Sequence, residues 1–326
     1  LIPYLFGASG TGCKSFMHDY HEHNLEEFDD NTLYLPYATS LRMGDIGYQN
    51  SQEDEKGVKA NYNSLYNYIH SLRAAMKTSC EDFEKIGVKK NGEYQQLNTN
   101  ILQIANEYYS SVRPKPILYA NDRPLRALNN NGIGYIEIRS LDINPLLEVG
   151  IDKQQIEFLE AFLLFCLLED SPAISSSELV EIDSNALLVA HQGRKPGLML
   201  GRIGEEVSLS DWGESLFKRI KQCSKLLSSA HQESVESISF RIKNSDLTPS
   251  AIMLNEMAHQ EKGFFEFTDQ FSHKYKTQNQ EKTFDKASFH KLDELAINSI
   301  KEQLEAESDE VINFDQFLED YFEDDA

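Results

Sequence analysis

The stretch from Phe158 to Leu168 is apolar at every position except Glu160, so as a helix it is hydrophobic on nearly all sides. A chain carrying such a segment must surround it with other elements. The stretch is too short for the roughly 20 residues that cross a bilayer, which leaves burial in a globular core. Asp152 with Gln155 three residues on is a capping-box signature for the start of this helix, and Asp170, Ser171 and Pro172 stop it.

Composition bounds the rest. The chain has 326 residues, 40% hydrophobic and 26% charged, with 18 Phe and 15 Tyr, enough to bury the core of one large domain or two ordinary ones. Disorder as the overall state is excluded. The 53 Asp and Glu against 31 Lys and Arg give a net charge of -22, a field that repels phosphate backbones and argues against nucleic acid as a partner. No segment reads as membrane-spanning. Cys13, Cys80, Cys166 and Cys223 stand far apart with no Cys-x-x-Cys spacing, which argues against a disulfide framework or structural zinc and for a cytoplasmic setting. The chain opens on the apolar Leu1 to Phe6 with no charged leader, and reads as beginning mid-fold.

Tyr62, Leu65, Tyr66, Ile69, Leu72 and Met76 recur at helical spacing and predict an amphipathic helix over 62–76. Residues 18–31 and 49–61 read as polar loops around the compact stretch Leu33 to Arg42. Asn91 and Gly92 mark a turn, while the alternation through Gln95 to Gln103, and then Pro116 to Tyr119, predicts short strands. Trp212, Leu216, Ile220, Cys223 and Leu227 form one helical stripe, and Thr248 and Pro249 open another helix. Residues 302–326 hold 11 acids and no Lys or Arg, as a solvated terminal helix or tail would.

Three places invite chemistry. Gly7 to Ser15 looks like a phosphate-binding loop after an apolar strand. Its register fails, because Cys13 separates Gly12 from Lys14 where Gly, Lys and Ser must be contiguous. A plain Gly-rich turn is the better reading. His18, His21 and His23 match no named metal spacing and lie in a polar loop. The third place, Ile133 to Asn144, says more. On a strand Glu137 and Arg139 share one face while Ile136 and Ile138 point to the other. They form either a salt bridge on a wet face or a magnesium ligand beside a phosphate clamp. Composition alone favours the salt bridge. Between Tyr108 and Arg139, however, five bases (Arg113, Lys115, Arg123, Arg126, Arg139) face two acids (Asp122, Glu137), and Arg194 and Lys195 add a second basic turn. Local cations in so acidic a chain suggest a small anionic ligand such as a nucleotide.

An ordered series of short matches then points to a family. It comprises Ile2 to Ser9, Leu35 to Arg42 with Asp45, Gly47 and Tyr48, Glu84 to Gly87, Leu102 to Ile104 with Asn106 and Glu107, Arg113 to Lys115, Tyr135 to Pro145, Ser175 to Leu179 and Gly193 to Gly197. With these the chain resembles the proteobacterial glutamate-cysteine ligases over most of residues 1–201. The resemblance implies an α+β fold: a curved antiparallel sheet like the catalytic sheet of glutamine synthetase, surrounded by helices, with a helical C-terminal region. It implies residues 1–205 as the C-terminal part of the catalytic domain, 206–301 as a helical region packed on it and 302–326 as an acidic end.

The implied reaction joins the side-chain carboxylate of L-glutamate to L-cysteine through a γ-glutamyl phosphate, with ATP as substrate and Mg2+ or Mn2+ as cofactor, in a monomer. By motif position Glu137 is a metal ligand and Arg139 the catalytic residue facing the ATP phosphates. Arg113 and Lys115 fall on the nucleotide side. Arg42, Tyr48 and Tyr109 form the cysteine pocket. The chain departs from the family at Gly10, Thr11 and Gly12, where Pro-Ala-Ile is usual, and at Phe165, where Trp is usual. The family also carries an N-terminal part ahead of this chain's first residue, with further metal ligands, so the chain by itself is expected to be inactive. A related ligase with another amine substrate, or a non-catalytic module, are the alternatives.

Overall fold

Side-chain caps set where four of the longer helices begin, at Ser64, Asp152, Ser175 and Ser208. The structure is a computed structural model that describes residues 1–17, 23–47, 59–119, 122–283, 285–308 and 313–323. In chain order its elements are α1 (Ile2–Phe6), β1 (Thr11–Cys13), β2 (Glu26–Asp29), β3 (Thr32–Tyr34), α2 (Leu65–Lys77), α3 (Glu81–Ile86), β4 (Lys89–Lys90), β5 (Glu93–Tyr94) and β6 (Val112–Lys115). There follow α4 (Pro124–Asn131), β7 (Tyr135–Ile138), α5 (Lys153–Leu168), α6 (Ser176–Gln192), β8 (Met199–Arg202), β9 (Glu205–Ser208), α7 (Leu209–Ser224) and α8 (Ser229–Lys243). The last are α9 (Pro249–Gln260), α10 (Phe264–Glu281), α11 (Lys286–Ser308) and α12 (Phe314–Glu323). Asp152 accepts from the Gln155 amide at 2.7 Å to start α5, Ser64 caps α2, and Ser175 forms a full capping box with Glu178 at α6.

The main core gathers α1, α5, α6, α7 and α8. Phe158 of α5 is fully buried, edge-on to Phe6 at 5.3 Å, stacked with Phe162 at 6.1 Å and tilted against Phe217 at 5.5 Å. Val235 and Ile238 of α8 and Ile220 of α7 close the same layer. Short α1 is tied into it by polar bonds: Tyr4 Oη donates to the Arg241 carbonyl at 2.8 Å, and Arg241 returns a bond to the Leu5 carbonyl at 2.6 Å. A second core joins α2 and α4 through Tyr68, Leu72, Leu125 and Leu128, and a smaller one packs Ala8 against Met253, Met257 and Phe267.

The strands are short and antiparallel: one sheet in the order β1-β3-β2, and the pairs β4-β5, β6-β7 and β8-β9. The molecule is therefore helix-rich with small antiparallel sheets. A single curved sheet of the glutamine synthetase kind does not occur among the described residues, because their ladders are at most four residues long and three of the four sheets have only two strands. The strands expected at 95–103 and 116–119 do not form. In the first, side chains capture the backbone instead: Gln103 Oε1 accepts from the Leu97 amide at 2.6 Å, Asn98 Oδ1 accepts from Asn100 at 2.9 Å, and Asn100 donates to the Met76 carbonyl at 2.5 Å. In the second, the ladder ends at Lys115, ahead of Pro116, whose nitrogen carries no proton to continue it.

Other expectations shift as well. The loop over 18–31 contains strand β2, the apolar opening is helix α1, and α2 begins at Leu65, after Tyr62. The acidic end is helical in α11 and α12. Helix α5 buries one face only. Leu167 and Leu168 are 80% and 57% exposed, since α7 and α8 cover the Phe158 side alone. No described helix is long and apolar enough to cross a membrane. Phe158→Ala removes a ring held on three sides by other rings, and urea unfolding is expected to show a loss of about 3–5 kcal/mol.

Candidate active site

The antiparallel pair β6-β7 brings the basic window together. Arg113 lies directly across from Glu137 and Lys115 across from Tyr135, and the ladder continues where the Arg139 amide donates to the Ser111 carbonyl at 2.8 Å. Residues directly opposite share a face. Arg113, Lys115 and Arg139 therefore surround one carboxylate. Arg139 Nη2 is 3.0 Å from Glu137 Oε1, and Lys115 Nζ is 3.5 Å from Oε2. Arg113 is buried and donates to the Asn106 carbonyl at 2.9 Å. Burial pushes the Glu137 carboxyl up, but the Arg139 hydrogen bond and the charges of Lys115, Arg139 and Arg113 outweigh it and hold it below its ordinary range. Its Oε2 is buried without a hydrogen-bond partner.

Behind this strand pair, Asp142 collects two other parts of the chain. Its carboxylate accepts from the Ala8 amide at 2.8 Å, from Ser9 Oγ at 2.7 Å and from Arg42 Nε at 2.7 Å. Arg42 Nη2 reaches on to the carbonyls of Arg139 and Leu141 at 2.9 and 2.8 Å. The Gly-rich turn is thus bound to a carboxylate. Its glycines are needed for close packing, since a Cβ on Gly7 would lie 2.4 Å from the Thr39 carbonyl oxygen and one on Gly10 2.7 Å from that of Ala38. Lys14 is paired with Glu27 at 2.6 Å. The plain-turn reading holds.

Arg42 and Asp142 open onto a cleft of about 790 Å³, lined also by Ser9, Glu148, Tyr275 and Lys276. Tyr48 lies outside the described residues, as do His18 and His21. Tyr109 is 45% exposed on the segment that leads into β6 and does not line this cleft. The structure therefore unites Arg113, Lys115, Glu137 and Arg139, and joins Arg42 to the Arg139 backbone, while Tyr109 stands apart. Sequence reasoning missed the role of Asp142, although the residue lies inside the matched stretch Tyr135 to Pro145. Among the described residues no group of three or more His, Cys, Asp or Glu side chains is gathered for a metal ion.

Comparison with known proteins agrees with this architecture. The glutamate-cysteine ligase family model matches residues 1–189, and the chain belongs to that family. A glutamate-cysteine ligase of Pseudomonas putida is 43% identical over 98% of this chain and 62% of its own length. The crystal structure of glutamate-cysteine ligase from Francisella tularensis in complex with AMP superposes with a TM-score of 0.90 at 32% identity, over 99% of this chain and 64% of that one. A bifunctional glutathione synthetase from Pasteurella multocida shares the fold, with a TM-score of 0.58 at 19% identity over 84% of this chain and 30% of that one. The chain spans somewhat under two thirds of the length of the first two.

Two outcomes follow from the geometry. Asp142→Ala leaves the Arg42 guanidinium and the Ala8 amide without their buried acceptor, so denaturant unfolding is expected to show about 3–5 kcal/mol of destabilisation, and Asp142→Asn a smaller loss. In carbon-detected NMR titration Glu137 is expected to ionise below its ordinary value and to move up in Arg139→Gln. A lowered folded pKa stabilises above the ordinary glutamate range and is lost as pH falls through the folded value.

Proposed function

We propose that this chain carries the nucleotide-facing strand pair and the amino-acid cleft of an ATP-dependent glutamate-cysteine ligase. The observation that carries the reading is the ring of Arg113, Lys115 and Arg139 about Glu137. Three fixed cations suit the charge that spreads over a transferring phosphoryl group, whose chemistry is mostly positioning and neutralisation. In the proposed reaction a side-chain carboxylate oxygen of L-glutamate attacks the γ-phosphorus of ATP, and the bond to ADP breaks. The amino nitrogen of L-cysteine then attacks the acyl carbon, inorganic phosphate leaves with the bonding electrons, and the ammonium proton is released. Arg139 faces the phosphates, and Lys115 and Arg113 hold their nucleotide side. Arg42, fixed by Asp142, meets the cysteine carboxylate at the cleft, with Tyr48 as a further pocket residue.

Glu137 fits the metal that the family implies. Its Oε2 is a hard oxygen donor, buried and without a hydrogen-bond partner, and magnesium commonly takes one or two carboxylates plus substrate phosphates. Mg2+ or Mn2+ bound there would neutralise phosphate charge. Because no group of three or more His, Cys, Asp or Glu side chains gathers for a metal among the described residues, the chain is proposed to bind its ligands without turning over by itself.

Isothermal titration of Mg-ATP and of L-cysteine into the chain tests the reading. Both are expected to bind, and Arg139→Ala is expected to weaken Mg-ATP at least about tenfold while sparing cysteine. Absence of binding by either ligand sinks the assignment of these residues. Steady ADP release dependent on both glutamate and cysteine would refute the claim that the chain alone does not turn over.

A further inference from the structure

Arg42 lies in a short 3-10 turn, Leu41–Met43, whose upstream side is sewn to the C-terminal end of α6. The Thr39 amide donates to the Ala190 carbonyl at 2.9 Å, and Thr39 Oγ1 donates to the Val189 carbonyl at 2.7 Å. The Arg194 side chain binds the carbonyls of Pro36 and Ala38 at 2.6 and 3.1 Å.

Downstream of Arg42 the attachment is made by side chains. Asp45 Oδ1 is 2.9 Å from His191 Nε2 in the last turn of α6, and Asp45 Oδ2 is 3.3 Å from His23 Nδ1. The two imidazoles lie edge to face with centroids 6.4 Å apart. Gly44 lets the ring rest on the loop backbone, since a Cβ there would stand 2.7 Å from His191 Nε2 and 3.4 Å from the Ala190 Cβ. At Gly47 the loop folds back over the turn, where a Cβ would lie 2.4 Å from the Arg42 carbonyl oxygen.

His191 Nε2 and Asp45 Oδ1 face each other at 2.9 Å, both withdrawn from water. Replacing the imidazole by a methyl group removes this contact, which favours release of the loop. Burial lowers the His191 pKa, with Asp45 pulling the other way and His23 adding to the lowering. The neutral imidazole meets Asp45 only with its proton on Nε2.

We propose that Asp45 and His191 are positioning residues for the amino-acid cleft: their contact clasps the loop after Arg42 to the end of α6 and thereby holds the Arg42 guanidinium against Asp142 in a ligand-ready place. The proposal rests on the cysteine assignment made above. Nothing in it requires either residue to touch the ligand. Small displacements of a binding group cost disproportionately when the partner is a single bound carboxylate.

The test compares the wild-type chain with His191→Ala, His191→Gln and Asp45→Ala, using titration of L-cysteine, titration of Mg-ATP and hydrogen exchange of the amides of residues 41–47. His191→Ala and Asp45→Ala are expected to weaken cysteine roughly tenfold to a hundredfold, to speed exchange across 41–47 and to leave Mg-ATP affinity unchanged. His191→Gln, which returns an N–H near Nε2, is expected to recover most of both losses. Cysteine affinity unchanged in His191→Ala overturns the proposal, and so does an equal loss of Mg-ATP binding, which would mark general unfolding. Failure of the wild-type chain to bind cysteine overturns the cysteine assignment itself and the clasp with it, and that outcome is distinguished by the wild-type titration alone.

Discussion

One buried carboxylate holds the functional face together. Asp142 accepts from a turn amide, a turn hydroxyl and a guanidinium, Ala8, Ser9 and Arg42, which reach it from two remote stretches of chain. A buried charge is tolerable only when it is paired and its lone pairs are filled, and these donors fill them. The consequence is geometric. Because Arg42 also binds the carbonyls of Arg139 and Leu141, the backbone beyond the strand pair β6-β7, the Gly-rich turn and the Arg42 loop are tied to one another through this one carboxylate.

Charge is arranged against the average of the molecule. A chain with net charge -22 concentrates Arg113, Lys115 and Arg139 on one sheet face around Glu137. Cations so close would repel one another if left bare, and Glu137 offsets part of that repulsion. Its Oε1 is held by Arg139 at 3.0 Å, while Oε2 has only the longer ion pair to Lys115 at 3.5 Å and no hydrogen bond.

Legibility in the sequence followed the range of the interactions involved. Helices α2, α5, α7 and α9 were readable because a 3.6-residue apolar period and a start signal, such as the Asp152 cap or Pro249 at the first helical position, act within a few residues. The shared face of Glu137 and Arg139 was readable for the same reason, from a period of two. The strand expected over 95–103 was not, because alternation cannot reveal that Asn98, Asn100 and Gln103 will hydrogen-bond backbone groups and disrupt a ladder. Phe158 was correctly assigned to the core, whereas Leu167 and Leu168, equally apolar, were not distinguishable from it until the positions of α7 and α8 were known.

By itself the sequence determined the helix-rich class with short antiparallel strands, the family through its ordered motifs, and the local concentration of Arg and Lys around Glu137. Only the tertiary structure decided that Arg113 stands opposite Glu137, that Arg42 is held by Asp142, and that Asp45 meets His191. The physical reason is separation along the chain: Arg42 and Asp142 are 100 residues apart and Ala8 and Asp142 are 134. Periodicity and capping report forces between near neighbours, while strand register and buried ion pairs arise only when distant segments are packed against one another.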